Sequence, residues 1–206
     1  MSGLNVIPIF PVPVFISTDE FPLDEDELDF INHLDLRVNE HGNLMSKDGY
    51  VLKNAELSRL RNFLEDNLEQ YVRKVLLVKK EIKFRITQSW VNESSKGMRH
   101  RNHSHNNSVI SGVFYIAGDK CPIVFDNNRT PRLGAFDVAF EYDEYNIFNS
   151  QTWWLENEKN KLILFPSSLP HSVGENESDT KRISLSFNTF VSGTLGNGPD
   201  RTELIL

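Results

Sequence analysis

The sequence predicts a mainly β fold, a sandwich or jelly roll, with N-terminal helices packed on one face of a sheet. After residue 82, short apolar segments alternate with polar residues at a period of two, and clusters of Asn, Asp, Gly and Pro separate them. Before residue 82, two segments show a helical period instead. The chain has 206 residues, of which 39% are hydrophobic, which suits a single domain with a sizeable core.

The first region, residues 1–81, is predicted to form an arm and two helices. The prolines of "VIPIFPVPVF" (6–15) favour an edge strand or an extended arm. Residues 23–34 have carboxylates at the start and apolar residues at helical spacing, which predicts a short helix. Residues 55–79 predict a longer helix, since one apolar stripe follows its length: Leu57, Leu60, Leu64, Leu68, Tyr71 and Val75.

The second region, residues 82–191, is predicted to be the β core. Its strand candidates are residues 82–90, 109–117, 122–125, 135–142, 145–148, 161–165 and 183–191. We expect the remaining residues, 192–206, to form a tail. The sequence leaves open whether this tail is ordered or reaches a neighbouring subunit of a homo-oligomer.

Composition narrows the classes of function. The formal net charge is −7 and no run of Lys or Arg stands out, which argues against nucleic-acid binding through a broad basic face. A single cysteine, Cys121, precludes an internal disulfide. The N-terminus lacks the basic region of a signal peptide, and no apolar stretch is long enough to span a bilayer. We therefore expect a cytoplasmic protein without a membrane partner.

Histidines supply the first candidate site. In "RHRNHSHNN" (99–107), His103 and His105 are two residues apart, so on an extended segment both side chains point to the same side. His171 follows an apolar strand and a proline-containing turn in "LILFPSSLPHSVGEN" (162–176). Because distant strands meet side by side in a jelly roll, His171 is placed to complete a site for iron, zinc, copper or nickel. We expect the nearby His100 to face solvent in a loop.

A second candidate site lies on "KRISLSFNTF" (181–190). Alternation places Arg182, Ser184 and Ser186 on one face of this strand. If that polar face lines the inside of a barrel, the buried guanidinium needs an anionic partner. The carboxylate of a bound small molecule would serve, with the Ser184 hydroxyl beside it.

Taken together, the H-x-H pair, the later histidine and the R-x-S pattern resemble the iron(II)- and 2-oxoglutarate-dependent dioxygenases. The likeness is closest to small oxygenases of phages and marine bacteria, and it covers roughly residues 55–190. The matching positions are Trp90, Asn92, His103, His105, Ser108, "SGVFYI" (111–116), "LFPSSLPH" (164–171) and "RISLSFN" (182–188).

This resemblance implies a double-stranded β-helix that uses Fe(II) and 2-oxoglutarate as a small-molecule cosubstrate. The implied metal ligands are His103, His105 and His171, and the implied cosubstrate residues are Arg182, Ser184 and Tyr115. The implied reaction hydroxylates an unidentified substrate and releases succinate and CO2, in the host cytoplasm if the protein is phage-encoded. His105 stands where the wider superfamily has a carboxylate, so Asp126 stays open as an alternative third ligand.

The sequence also fits two other classes of protein. A three-histidine metalloprotein of the cupin type would not use 2-oxoglutarate, and a jelly-roll binding or structural module would need no metal. Tyr115 suits the core as well as a cosubstrate pocket, and Trp90 and Asn188 are further pocket candidates. Trp153 and Trp154 suit the core, an oligomer contact or a substrate lid.

Overall fold

The computed structural model describes residues 6–40, 42–118, 121–127, 141–196, 198–199 and 201–206. In the N-terminal region, strand β1 (Phe15–Ile16) precedes helix α1 (Glu25–Asn32) and the hairpin strands β2 (Leu36–Val38) and β3 (Leu44–Ser46). Two 3-10 turns, Val51–Lys53 and Ala55–Leu57, lead into helix α2 (Ser58–Gln70), and a π-helical turn, Tyr71–Val75, ends it. The predicted helix 55–79 is therefore shorter and less regular than expected.

The rest of the chain is built from strands. They are β4 (Lys83–Ser94), β5 (His100–His103), β6 (Ile110–Ala117), β7 (Ile123–Asp126), β8 (Thr152–Leu155), β9 (Leu162–Pro166), β10 (His171–Val173), β11 (Arg182–Ser192), β12 (Thr194–Leu195) and β13 (Leu204–Ile205). The last two pair with each other, so the described part of the predicted tail contains a small hairpin.

Two antiparallel sheets form the core, as the predicted jelly roll requires. The major sheet has seven strands in the order β1-β9-β6-β11-β4-β3-β2. The minor sheet has four, in the order β5-β10-β7-β8. Several neighbouring strands are far apart in sequence, among them β5 and β10, whose pairing brings the segments around residues 103 and 171 together.

The helices cover the outer face of the major sheet. The buried side of α2 (Leu60, Leu64, Leu68) shares one apolar cluster with Phe114 of β6 and Leu185 of β11. Helix α1 begins with a capping box, in which Asp24 accepts from the Glu27 amide at 2.9 Å and Glu27 accepts from the Asp24 amide at 3.0 Å. Glu27 also accepts from the Leu60 amide at 3.1 Å, which ties the two helices together.

Alternation along β11 explains how one strand serves both a core and a pocket. Leu185 and Phe187 belong to the apolar cluster under the helices. Arg182, Ser184 and Ser186 line the space between the two sheets. The polar face thus points into the barrel, which is the orientation that the second candidate site requires.

Two strand predictions in the asparagine-rich segment fare differently. The candidate at 135–142 lies almost entirely outside the described residues. The candidate at 145–148 is wrong, because asparagine side chains bond to the backbone there: Asn146 accepts from the Phe148 amide at 2.8 Å, and Asn149 accepts from the Asn146 amide at 2.7 Å. Such bonds favour a turn over a strand.

Strand β8 was missed by sequence reasoning. It carries Trp153 and Trp154, which pair with Phe125 and Val124 of β7. Trp154 is half exposed, and its indole stacks on that of Trp153 with the ring centroids 5.3 Å apart at the edge of the minor sheet. No helix among the described segments has the length and apolarity that a bilayer crossing requires.

Candidate metal centre and its inner pocket

The histidine cluster predicted from the sequence forms at the open end of the minor sheet. His103 ends β5, His105 follows it in the loop, and His171 begins β10 directly opposite His103. The ring centroids are 4.4 Å apart for His103 and His171, 4.9 Å for His103 and His105, and 5.2 Å for His105 and His171. One ligand nitrogen from each ring lies within 4.8 Å of the other two, which suits a single shared ion.

Backbone contacts orient two of the three imidazoles. The Nδ1 atom of His103 lies 2.8 Å from the carbonyl of Arg101, and the Nδ1 atom of His171 lies 3.0 Å from the carbonyl of Leu169. Because a carbonyl only accepts, Nδ1 carries the hydrogen in both rings and Nε2 keeps its lone pair. Each carbonyl therefore fixes the tautomer that can bind a metal through Nε2.

Burial keeps His171 in the neutral form that a metal requires. The side chain is 5% exposed. Burial lowers the pKa of His171 to about 3, and the neighbouring His103 adds to this effect. Its imidazole is thus ready to ligate throughout the physiological pH range.

The structure places His100 differently from the sequence prediction. His100 begins β5 and is only partly exposed. Its ring stacks on that of His103 with the centroids 4.4 Å apart. The register of β10 against β5 shifts between His171 and Val173, which brings positions 100 and 103 to the same side of the strand. The expectation of a solvent-facing loop histidine was wrong.

Asp126 stands outside the histidine cluster. It ends β7, where it pairs with Thr152, and its carboxylate accepts a hydrogen bond from the Asn102 side chain at 3.1 Å. Within the described residues, the group that could hold an ion contains the three histidines and no carboxylate.

Deeper between the sheets, a cleft leads from the histidines to Arg182 and Ser184. Arg182 is 4% exposed and Ser184 is 1% exposed. The guanidinium carbon of Arg182 lies 5.5 Å from the ring centroid of Tyr115, which neighbours it on β6. Neither Arg182 Nε nor the Tyr115 hydroxyl has a hydrogen-bond partner of ordinary geometry among the described residues. Two neighbouring buried donors are costly to leave unpaired, so the cleft that Arg182 lines suits an anionic ligand.

Tyr115 remains a phenol in this setting. Burial raises the pKa of Tyr115 to about 12, although the positive charge of Arg182 acts in the opposite direction. The hydroxyl can therefore donate a hydrogen bond to a carboxylate beside the guanidinium. The ring of Tyr115 also packs in a buried cluster with Phe125 and Phe165, which is the core role that the sequence left open, and the role toward a cosubstrate stays a prediction.

Above the histidines, an open groove of about 700 Å³ leads to the surface. Its walls come from the β2–β3 hairpin, from β4 and from the loop after β5. The lining residues are Arg37, Val38, Asn39, Glu40, Met45, Gln88, Trp90, His100, His103, Ser104, His105, Asn106 and Asn188. Trp90 and Asn188 are thus pocket residues, as the sequence suggested.

Sequence reasoning missed two parts of the groove lining, namely the β2–β3 hairpin and Gln88. Gln88 was detectable, because it precedes Trp90 and Asn92 by two and four residues on one strand and so shares their face. The hairpin was not, because its strands have three residues each, too few for a recognisable alternation.

The fold and the histidine cluster together define a metal-binding jelly-roll protein. Comparison with known proteins narrows this class to one family. Residues 88–188 match a family model described as "Putative 2OG-Fe(II) oxygenase". This span includes all three histidines, Tyr115, Arg182 and Ser184. This match supports the assignment of the chain to the 2OG-Fe(II) oxygenase superfamily.

Solved structures share the fold at low sequence identity. A 2OG-Fe(II) oxygenase family oxidoreductase from Burkholderia pseudomallei is 12% identical, with a TM-score of 0.58 over 85% of this chain and 83% of the other. A Pseudomonas putida prolyl-4-hydroxylase is 14% identical, with a TM-score of 0.55 over 86% and 92%. HygX from Streptomyces hygroscopicus, solved with nickel, 2-oxoglutarate and hygromycin B, is 11% identical, with a TM-score of 0.56 over 86% and 82%. No curated protein sequence matches the chain.

Proposed function

We propose that this protein is an iron(II)- and 2-oxoglutarate-dependent dioxygenase that hydroxylates its substrate and releases succinate and CO2. The observation that carries the proposal is that three converging imidazoles share a cleft with a buried arginine that has an unpartnered donor. Fe(II) would be held by His103, His105 and His171, and it would supply oxygen activation together with 2-oxoglutarate.

The inner cleft supports binding of the cosubstrate. Arg182 would pair its guanidinium with the distal carboxylate, and the hydroxyls of Ser184 and Tyr115 would donate to the same group. Ser184 and Tyr115 are directly opposite each other on β11 and β6, so their side chains approach the anion from neighbouring strands. Binding of the dicarboxylate would give the buried cation its missing partner and exclude water from the cleft.

The outer groove supports access of the substrate. A volume of about 700 Å³ lies within the range of roughly 300–1,000 Å³ that small-molecule sites have. Among the described residues, its lining contains one cation, Arg37, one anion, Glu40, and several amides. This balance favours a neutral or zwitterionic substrate rich in hydrogen-bonding groups over a polyphosphate or a fatty chain. A phage origin, a cytoplasmic location and a homo-oligomeric state stay predictions from the sequence.

The test is anaerobic binding of 2-oxoglutarate to the iron-loaded protein, followed by succinate release in air. We expect a visible charge-transfer band on adding 2-oxoglutarate and slow succinate formation. Arg182→Ala should weaken 2-oxoglutarate binding by at least about 100-fold, since a charge-assisted bidentate pair is lost, while iron affinity stays unchanged.

Lys181→Ala is the matched control, because Lys181 is the adjacent cation but lies at the surface, where it pairs with Glu93 at 2.9 Å. It should bind 2-oxoglutarate like the wild type. Iron binding without any band or succinate would contradict the proposal and favour a three-histidine metalloprotein that does not use 2-oxoglutarate.

A further inference from the structure

Asn188 occupies a distinctive place beside the metal centre. It lies on β11, is 7% exposed, and has its side-chain Nδ2 atom 3.5 Å from Nδ1 of His105. On its other side, its Oδ1 atom accepts a hydrogen bond from the Ser111 hydroxyl at 2.8 Å. The amide therefore links the third histidine to the interior of the barrel.

The three histidines differ in what faces Nδ1. In His103 and His171 this atom lies against a main-chain carbonyl two residues back, and a carbonyl can only accept. In His105 the facing group is the Asn188 amide, which can either donate or accept depending on its orientation. The orientation of this amide thus decides which nitrogen of His105 keeps the lone pair.

We propose that Asn188 is the positioning residue of His105, and that its amide oxygen accepts from Nδ1–H of His105 when the metal is bound. This inference rests on the three-histidine metal site of the proposed function. It requires the amide to rotate by 180° about χ2 from the orientation in which Nδ2 faces His105, and the two ends of an amide have nearly the same shape. His105 then presents Nε2 to the ion, as His103 and His171 do.

The surroundings of Asn188 allow this rotation without leaving a polar group unpaired. Ser111 bonds to the Ser167 hydroxyl at 2.8 Å, and Ser167 bonds to the Ser108 hydroxyl at 2.6 Å. Each hydroxyl can both donate and accept, so the row of serines can reverse its direction and accept from the rotated Nδ2. Gln88, whose Oε1 lies 3.3 Å from Asn188 Nδ2, can turn its own amide in the same way.

The same serine row also holds the backbone of His105. The amide of His105 donates to the carbonyl of Ser167 at 2.9 Å, and Ser167 is fully buried. On the far side, the indole of Trp90 lies 5.8 Å from the imidazole, centroid to centroid. A buried polar network is costly unless every member is satisfied, so its place next to this histidine indicates a role in fixing the ring.

The test compares Asn188→Ala and Asn188→Asp for Co(II) affinity and for the visible spectrum of bound Co(II). Asn188→Ala should weaken Co(II) binding by about 10- to 100-fold, as loss of an outer partner of a metal-bound histidine does. Asn188→Asp has two oxygens that only accept, so it should bind Co(II) at least as tightly as the wild type. In the zinc-loaded wild type, nitrogen NMR of labelled histidine should show the hydrogen of His105 on Nδ1.

Asn176→Ala is the control for a purely structural effect. Asn176 is 4% exposed and donates to the main-chain carbonyls of Ser94 and Thr180, each at 2.9 Å. Its removal should lower the melting temperature and leave Co(II) affinity unchanged. Unchanged affinity in Asn188→Ala, or equal losses in the alanine and aspartate variants, would overturn the inference, as would a His105 hydrogen on Nε2.

The outcome also separates this inference from the proposed function. Co(II) affinity that depends on Asn188, with a Co(II) spectrum that does not respond to 2-oxoglutarate, would support the inference and overturn the function. A Co(II) spectrum that responds to 2-oxoglutarate, with equal Co(II) affinity in Asn188→Ala and wild type, would support the function and overturn the inference. A wild type that binds no Co(II) would overturn both.

Discussion

His171 lies directly opposite His103 in the antiparallel pairing of β10 with β5, and the centroids of the two imidazoles are 4.4 Å apart. These positions are 68 residues apart in sequence (171 − 103) and the strands β6 to β9 lie between them, yet the sheet order makes them neighbours. The metal centre is therefore a direct product of the strand order in the minor sheet, to which the following loop adds His105.

Replacing a histidine of the cluster by alanine should remove tight metal binding. His103→Ala and His171→Ala each leave two imidazoles, so Fe(II) affinity should fall by more than the roughly 10- to 100-fold that loss of an outer partner costs. Anaerobic titration with Fe(II) measures this. His33→Ala is the control, because His33 is exposed at the end of α1, and it should bind Fe(II) like the wild type. Equal affinity in His103→Ala and His33→Ala would contradict the assignment.

The parts of the site that could be predicted are those that follow from the alternation of side chains along a single strand. The spacing of His103 and His105 and the polar face of Arg182 and Ser184 follow from the period of an extended chain. The convergence of His171 on them was inferred from jelly-roll topology, because no local pattern reports which strands become neighbours.

The predictions that were wrong or missing depend on interactions that the periodicity of apolar and polar residues does not report. His100 joined the cluster through a register shift between two strands, which sequence periodicity does not report. Asn146 and Asn149 turned a predicted strand into a turn through side-chain bonds to the backbone. The orientation of Asn188 toward His105 depends on packing between β11 and the loop after β5.

Tyr115 should ionise far above the ordinary tyrosine value. Burial raises its pKa to about 12, whereas an unfolded tyrosine releases its proton near pH 10. Between pH 10 and pH 12 the folded state therefore holds a proton that the unfolded state has lost. The contribution of the protonated Tyr115 to the free energy of unfolding is complete below pH 10 and is lost as the pH rises from 10 to 12. Phenolate absorbance of Tyr115→Phe should be smaller than that of the wild type only in the part of the titration near pH 12. A difference confined to the part near pH 10 would show that Tyr115 is not buried as described.

Gly112 should not tolerate a side chain. It pairs with Phe187 across β6 and β11, and a methyl group there would overlap the Phe187 ring and the Leu164 side chain. Gly112→Ala should therefore lower the free energy of unfolding by about 1–3 kcal/mol, as overpacking of a core does. Denaturant unfolding measures the loss.

Gly174→Ala provides the comparison, since no atom lies within 4 Å of the added methyl group. Its free energy of unfolding should stay within about 0.5 kcal/mol of the wild type. If Gly112→Ala were equally harmless, the close packing of Phe187 on β6 would be wrong.

The most direct test of the central claim is a crystal structure of the protein grown without oxygen, with Fe(II) and 2-oxoglutarate, and an anomalous map at the iron edge. We predict one iron peak bound by Nε2 of His103, His105 and His171, with the distal carboxylate of 2-oxoglutarate on the Arg182 guanidinium. An iron bound by Asp126 in place of His105, or a dicarboxylate that leaves Arg182 unpaired, would contradict the account.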